Sequence, residues 1–133
     1  MGPSGRRNVM LKFADLLEQN RELIAHVEAT ENGKPFPFLC GEVGFMADLV
    51  RFNAGATDKL TGDTIPVNGP FTAMTIKEPV GVCGQIVPWN FPTLMAIFKL
   101  GPVLATGCTT ILKPSENTPM TGLVLGNMLA EAG

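Results

Sequence analysis

The sequence predicts an α/β protein in which a parallel sheet of order β-α-β-α follows two long helices and a β-hairpin. Two short apolar runs, residues 80–87 and 109–112, have the composition of strands that are covered on both faces. Each run is followed by polar residues, a proline and an apolar stretch at helical spacing, which predicts a helix after each strand. Two such strands need flanking layers that this sequence does not supply, so we expect the sheet to be incomplete.

Residues 1–63 are predicted to form a helical scaffold. Apolar residues recur along one helix face and indicate a single amphipathic helix of roughly six turns: Val9, Met10, Phe13, Leu16, Leu17, Leu23, Ile24 and Val27. The segment Asn32-Gly33-Lys34-Pro35 breaks the chain, and a second helix is predicted from about Glu42 to Leu60, with apolar residues on two faces. His26 lies on the solvated side of the first helix without a carboxylate or cysteine nearby, and we assign it no functional role.

Residues 64–79 are predicted to form a β-hairpin. The strand candidates Thr64-Ile65-Pro66-Val67 and Phe71 to Ile76 flank Asn68-Gly69, a dipeptide typical of hairpin turns. Pro66 and Pro70 have no backbone N–H to donate to a ladder, so the hairpin is expected at an edge. Residues 80–133 then form the half-sheet.

Polar side chains follow both strands of the predicted parallel sheet. Asn90 lies in Pro88-Trp89-Asn90-Phe91-Pro92 after the first strand, and Lys113 and Glu116 follow the second. In open α/β sheets, ligands bind beyond the carboxyl ends of the strands. A carboxylate there can accept hydrogen bonds from two ribose hydroxyls, and a nearby ammonium can donate to them. These residues therefore favour dinucleotide binding.

Taken singly, the same residues have simpler interpretations. Trp89 could be a core aromatic, and Asn90 could be the N-cap of the following helix. Lys113 and Glu116 could be an ordinary solvated pair. The residues alone leave these alternatives open.

Charge and composition argue against several classes of function. Ten basic and 12 acidic residues give a formal charge of −2, without the basic stripe that nucleic acid requires. The apolar stretch 94–112 is interrupted by Lys99, Gly101-Pro102 and Gly107, which argues against a membrane span. Arg6-Arg7 is not followed by an apolar segment of the signal-peptide type. Three cysteines without paired spacing give no zinc pattern and suit a reducing compartment, the cytosol or the mitochondrial matrix.

The segment from Glu78 to Pro92 resembles the NAD(P)-dependent aldehyde dehydrogenase superfamily. The likeness continues in the same order and spacing through Lys99-Leu100-Gly101-Pro102, Ala105-Thr106-Gly107, Leu112-Lys113-Pro114-Ser115-Glu116, Thr118-Pro119 and Glu131-Ala132-Gly133. Upstream it is looser, through Ala14 to Glu18, Asn32 to Pro35 and Gly62 to Pro66. The resemblance thus covers essentially the whole chain and implies a Rossmann-like sheet.

The resemblance also implies roles for the residues after the strands. Asn90 would donate its side-chain amide to the oxyanion that forms when a cysteine thiolate attacks an aldehyde. Lys113 and Glu116 would hydrogen-bond the adenosine ribose of NAD or NADP. The implied cofactor-contacting positions are Val87, Pro88, Trp89, Asn90, Lys113, Pro114, Ser115 and Glu116. The family also implies an aldehyde substrate and a homo-oligomer to which the hairpin region contributes.

The family's nucleophilic cysteine and general-base glutamate would lie beyond Gly133. None of the three cysteines is expected to replace the nucleophile, because Cys83 lies inside the first strand, Cys108 begins the second, and Cys40 opens a helix. Two hypotheses follow. The chain is the N-terminal part of an aldehyde dehydrogenase, or it is a noncatalytic fragment that acts by associating with other subunits. In either case we expect the 133-residue chain alone to be inactive.

Overall fold

The computed structural model describes all residues 1–133 and contains five helices and four strands. The elements are α1 (Pro3–Gln19), α2 (Arg21–Asn32), α3 (Phe36–Ala56), β1 (Thr64–Ile65), β2 (Ala73–Met74), β3 (Val82–Ile86), α4 (Pro92–Thr106), β4 (Thr109–Lys113) and α5 (Met120–Ala132). The predicted α/β class and the order β-α-β-α of the C-terminal half are confirmed.

The prediction of one long N-terminal helix is wrong, because the chain breaks at Asn20. This residue leaves the helical conformation with φ −103° and ψ 22°, and its side-chain amide donates to the Leu16 carbonyl at 2.8 Å. The Asn20 carbonyl in turn accepts the Ile24 N–H at 3.0 Å, so the same residue ends α1 and begins α2. Asparagine competes well for backbone partners at such breaks. The change of direction leaves Leu23, predicted on the apolar face, exposed.

Helix α3 begins at Phe36 rather than near Glu42 and ends at Ala56 rather than near Leu60. Pro37 in its first turn lacks an N–H that would have no intrahelical partner there, so proline is compatible with this start. Cys40, expected to open the helix, instead lies inside it and is half-buried. At the other end, the Thr57 hydroxyl donates to the Ala54 carbonyl at 3.0 Å.

The core is built by helices. Its largest fully buried side chains come from α1, α2, α3, α4 and α5: Phe13, Leu17, Ile24, Met46, Ile97 and Leu125. Helix α4 is central, because it contacts α1, α3, α5 and β4. It therefore fixes the end of the sheet, where the polar loops lie, against the helical scaffold.

Both sheets have two strands. Strands β1 and β2 pair antiparallel, with Thr64 opposite Met74 and Ile65 opposite Ala73, which confirms an antiparallel hairpin. The predicted longer strands around a two-residue turn at Asn68-Gly69 are wrong, because each strand has two residues and residues 66–72 connect them. Strands β3 and β4 pair parallel, from Val82 opposite Thr109 to Ile86 opposite Lys113, which confirms the parallel sheet.

The expectation that the parallel strands are covered on both faces is wrong for this chain. Val82, Ile86 and Ile111 are 70%, 71% and 69% exposed, because helices pack on only one face of the sheet. On the covered face, Gln85 is buried and its amide donates to the Lys99 carbonyl of α4 at 2.9 Å. The two strands are therefore more apolar than is usual for strands with one exposed face.

Candidate functional site

The loops that follow β3 and β4 lie side by side at one edge of the sheet. The Val87 N–H donates to the Lys113 carbonyl at 3.2 Å and extends the ladder by one bond beyond Ile86. This bond places the segment from Pro88 to Phe91 next to the segment from Pro114 to Glu116. Asn90 and Glu116 follow neighbouring strand ends as predicted from sequence, whereas Lys113 is the last residue of β4.

The first loop presents its polar side chain to solvent. Trp89 is 56% exposed, so the core-aromatic interpretation is wrong. The N-cap of α4 is Phe91, with φ −140° and ψ 60°, and no side chain caps this helix. The capping interpretation of Asn90 is therefore wrong as well. Asn90 is exposed one residue before the cap, and its amide is not used to satisfy the helix end.

The second loop carries an ion pair. The Lys113 ammonium lies 3.7 Å from a carboxylate oxygen of Glu116 and donates to the Pro114 carbonyl at 3.1 Å. Ser115 shapes the turn, since its hydroxyl accepts the Asn117 N–H at 3.3 Å. A hydrogen bond from the backbone N–H of Glu116 itself lowers the pKa of its carboxyl, and the nearby Lys113 lowers it further. The pair is solvated, as its simpler interpretation held, and Glu116 is anionic at neutral pH.

Sequence reasoning missed a cluster of charges beneath the first loop. The Lys34 ammonium lies 3.6 Å from the centroid of the Phe91 ring, 3.3 Å from Glu28 and 3.2 Å from Glu42. Glu28 is only 1% exposed and also accepts a hydrogen bond from Asn32 at 3.1 Å. The one sequence signal was the segment from Asn32 to Pro35, which indicates a chain break and carries part of the family resemblance but does not predict the buried charges.

Cys83 and Cys108 lie in or beside the strands and not in the polar loops. Cys83 is half-buried in β3, as predicted, and Cys108 is buried immediately before β4 rather than as its first residue. Desolvation raises the pKa of the Cys83 thiol, whereas a hydrogen bond from the Thr106 hydroxyl at 3.4 Å lowers that of Cys108. Cys108 stands at the amino end of its strand, and Asn90 follows the carboxyl end of the neighbouring parallel strand. This cysteine is therefore at the opposite edge from Asn90.

Other kinds of site find no support in the fold. No three His, Cys, Asp or Glu side chains are grouped as metal ligands. No helix combines the length and the apolar character needed to cross a bilayer. A groove of about 560 Å³ is lined by residues of α1, the end of α4, residues 107–109 and α5, and includes none of the predicted site residues.

A parallel sheet with polar loops at the carboxyl ends of its strands defines an α/β protein with a candidate ligand site at that edge. A family model described as the aldehyde dehydrogenase family matches residues 1–133. The chain therefore belongs to the aldehyde dehydrogenase family, as the resemblance in its sequence indicated.

Individual relatives agree with this assignment. The mitochondrial aldehyde dehydrogenase of Leishmania tarentolae is 48% identical over 129 residues, which cover 96% of this chain and 26% of the relative. The human mitochondrial aldehyde dehydrogenase is 45% identical over 139 residues, covering 100% of the chain and 26% of the relative. An NAD⁺ complex of the Bacillus cereus aldehyde dehydrogenase superposes with a TM-score of 0.96 at 43% identity, over 100% of this chain and 27% of that one. The chain thus spans about a quarter of the length of these relatives.

Proposed function

We propose that this chain supplies the cofactor-binding and oxyanion-stabilising part of an NAD(P)-dependent aldehyde dehydrogenase. The observation that carries the proposal is the hydrogen bond from the Val87 N–H to the Lys113 carbonyl. This bond places the loop with the exposed Asn90 side chain beside the ion pair of Lys113 and Glu116. The substrate is an aldehyde, and NAD, when bound, accepts its hydride. The corresponding region of the Bacillus cereus enzyme has been solved with NAD⁺, which supports the proposal.

The second loop suits the ribose of the cofactor. Glu116 is 84% exposed at its side chain and anionic, so it can accept hydrogen bonds from both ribose hydroxyls. The Lys113 ammonium can donate to the same hydroxyls. A carboxylate at this position repels a 2′-phosphate, so we assign NAD in preference to NADP. Val87, Pro88 and Trp89 line the path of the cofactor, with Pro114 and Ser115 completing the ribose loop.

Asn90 acts on the aldehyde rather than on the cofactor alone. When a thiolate adds to the aldehyde carbon, negative charge develops on the oxygen, and the Asn90 amide donates to it. None of the three cysteines is assigned as the nucleophile, because each lies within a helix or strand or directly beside one: Cys40 in α3, Cys83 in β3 and Cys108 before β4. The thiolate and the general base then come from sequence outside these 133 residues.

A second candidate function is noncatalytic association with other subunits. It is favoured by the exposed apolar side chains of the hairpin region, since Phe71, Met74 and Ile76 are all exposed. Contiguous exposed apolar surface of this kind marks interaction sites. A homo-oligomer in the cytosol or the mitochondrial matrix is consistent with both candidates, and two of the relatives above are mitochondrial proteins.

A chimera tests the first proposal. Residues 1–133 replace the equivalent segment of the full-length Bacillus cereus enzyme, to which they are 43% identical. The chimera is assayed for NADH formation from propanal and for NAD binding by calorimetry. Binding and turnover within about tenfold of the parent are expected. A folded chimera that neither binds NAD nor forms NADH would refute the proposal and favour the association function.

A further inference from the structure

The turn that carries Asn90 is in contact with the Lys34 ammonium through the Phe91 ring. The Lys34 Nζ atom lies 3.6 Å from the centroid of the Phe91 ring, a separation at which a cation and an aromatic face attract each other. Phe91 is half-buried, adjoins Asn90 and is the N-cap of α4, where its carbonyl accepts the Met95 N–H at 2.9 Å. Holding the Phe91 ring therefore fixes the turn from Trp89 to Phe91.

The ammonium is itself held from two other elements. Glu28 of α2 and Glu42 of α3 bond it at 3.3 Å and 3.2 Å. The lysine side chain is 17% exposed and the two carboxylates are 1% and 10% exposed, so little water screens the contacts. Gly33, with φ 76°, turns the chain at the end of α2, and the Asn32 side chain accepts the Lys34 N–H at 3.0 Å. The lysine thus joins α2 and α3 to the start of α4.

We propose that Lys34 is a positioning residue for the Asn90 amide, acting through Phe91. Lys34 touches neither the aldehyde nor the cofactor in this assignment. It restricts where the Asn90 turn can sit, so its loss lets the amide move away from the developing oxyanion. A displacement of about 1 Å can cost roughly 100-fold in rate when the displaced group acts on the transition state. The kinetic part of this inference rests on the proposed function, and the pinning of the turn does not.

The kinetic test uses the chimera described above with Lys34→Met, Phe91→Leu and the double variant. We expect each single variant to lower kcat about 10- to 100-fold with KM for NAD within about twofold, and Lys34→Arg to restore most of the rate. The double variant should lose no more than the worse single variant, because both changes break one contact. Losses that multiply, or a kcat unchanged in a folded Lys34→Met protein, overturn the inference. Lys59→Met is the matched control, since Lys59 pairs on the surface with the adjacent Asp58.

A spectroscopic test separates this inference from the proposed function. Trp89 is the only tryptophan of the 133-residue chain, and it lies two residues from Phe91. Acrylamide quenching of Trp89, measured in the chimera with any other tryptophan replaced by phenylalanine, therefore reports the turn without cofactor or aldehyde. Phe91→Leu leaves the buried charges intact and should measurably raise quenching, as should Lys34→Met, although by less than about twofold because Trp89 is already 56% exposed. Unchanged quenching in Phe91→Leu overturns the pinning, even if the chimera is active. Raised quenching with an inactive chimera supports the pinning and refutes only the proposed function.

Discussion

Removing the Glu31 carboxylate is expected to loosen the start of α5. Its two oxygens accept the N–H groups of Met120 and Thr121, the latter at 3.1 Å, from a position 89 and 90 residues earlier in the chain. The helix has no other side-chain cap, because its N-cap is Pro119. A lost N-cap costs about 0.5–2 kcal/mol, and a carboxylate at a helix N-terminus adds about 0.3–1 kcal/mol. Because Met120 is exposed, water can replace part of the lost hydrogen bonding. We therefore expect Glu31→Ala to lower the local stability of the first turn of α5 by about 1–2 kcal/mol.

Hydrogen exchange in the chimera measures this cost where it arises. A loss of about 1–2 kcal/mol corresponds to roughly 5- to 30-fold faster exchange of the amides in the first turn of α5. Glu31→Gln keeps one neutral acceptor and should give a smaller acceleration. Glu22→Ala, an exposed glutamate in the first turn of α2, is the control and should leave α5 unchanged. Exchange in α5 that is the same in Glu31→Ala as in the parent would refute the capping argument.

Four further predictions concern the chain and its cofactor site. The 133-residue chain alone should form no NADH from propanal or benzaldehyde above a no-protein blank, and turnover abolished by mutating Cys40, Cys83 or Cys108 would contradict this. The same chain should self-associate and bind hydrophobic dyes because Val82 and Ile111 are exposed; a monodisperse monomer with a sharp thermal transition would count against it. In the chimera, Glu116→Gln should weaken NAD about tenfold or more and NADP less, and equal losses would remove Glu116 from cofactor discrimination. Because the pKa of the Glu116 carboxyl is lowered from its ordinary value of 4.5, the carboxylate stays mostly charged down to that pH. NAD affinity should therefore change little between neutral pH and the ordinary pKa and fall only in more acidic solution.

Local patterns predicted the part of the fold that positions the site. The β-branched runs placed β3 and β4, and the prolines placed the starts of α4 and α5, to within two residues, whereas the hairpin strands are shorter than predicted. The same patterns also placed Asn90 and Glu116 after neighbouring strand ends and Lys113 at the end of β4, since parallel strands end at the same edge. The local patterns did not predict the helix break at Asn20. The apolar spacing continues across this residue as in one helix, but its side-chain amide bonds the Leu16 carbonyl where α1 ends.

The contacts that fix the loops could not be predicted, because they join residues far apart in sequence. Lys34 meets Phe91 only after α2, α3 and α4 have packed, and Glu31 meets the start of α5 for the same reason. A lysine after a helix and a glutamate near its end have no pattern that distinguishes them from solvated charges. The burial of β3 and β4 was overestimated for a related reason. The composition of a strand shows that its surface is apolar, but it does not show which other elements cover that surface.

The Asn90 amide is the most direct test of the proposed chemistry. In the chimera, Asn90→Ala should lower kcat by roughly 10²–10³, about 2.7–4 kcal/mol, because the amide matters only when charge develops on the aldehyde oxygen. Asn90→Asp should be at least as harmful, since it sets a carboxylate against an oxyanion. NAD affinity should be nearly unchanged in both variants. A folded Asn90→Ala chimera with kcat within about twofold of the unsubstituted chimera would contradict the assignment of Asn90 to the oxyanion.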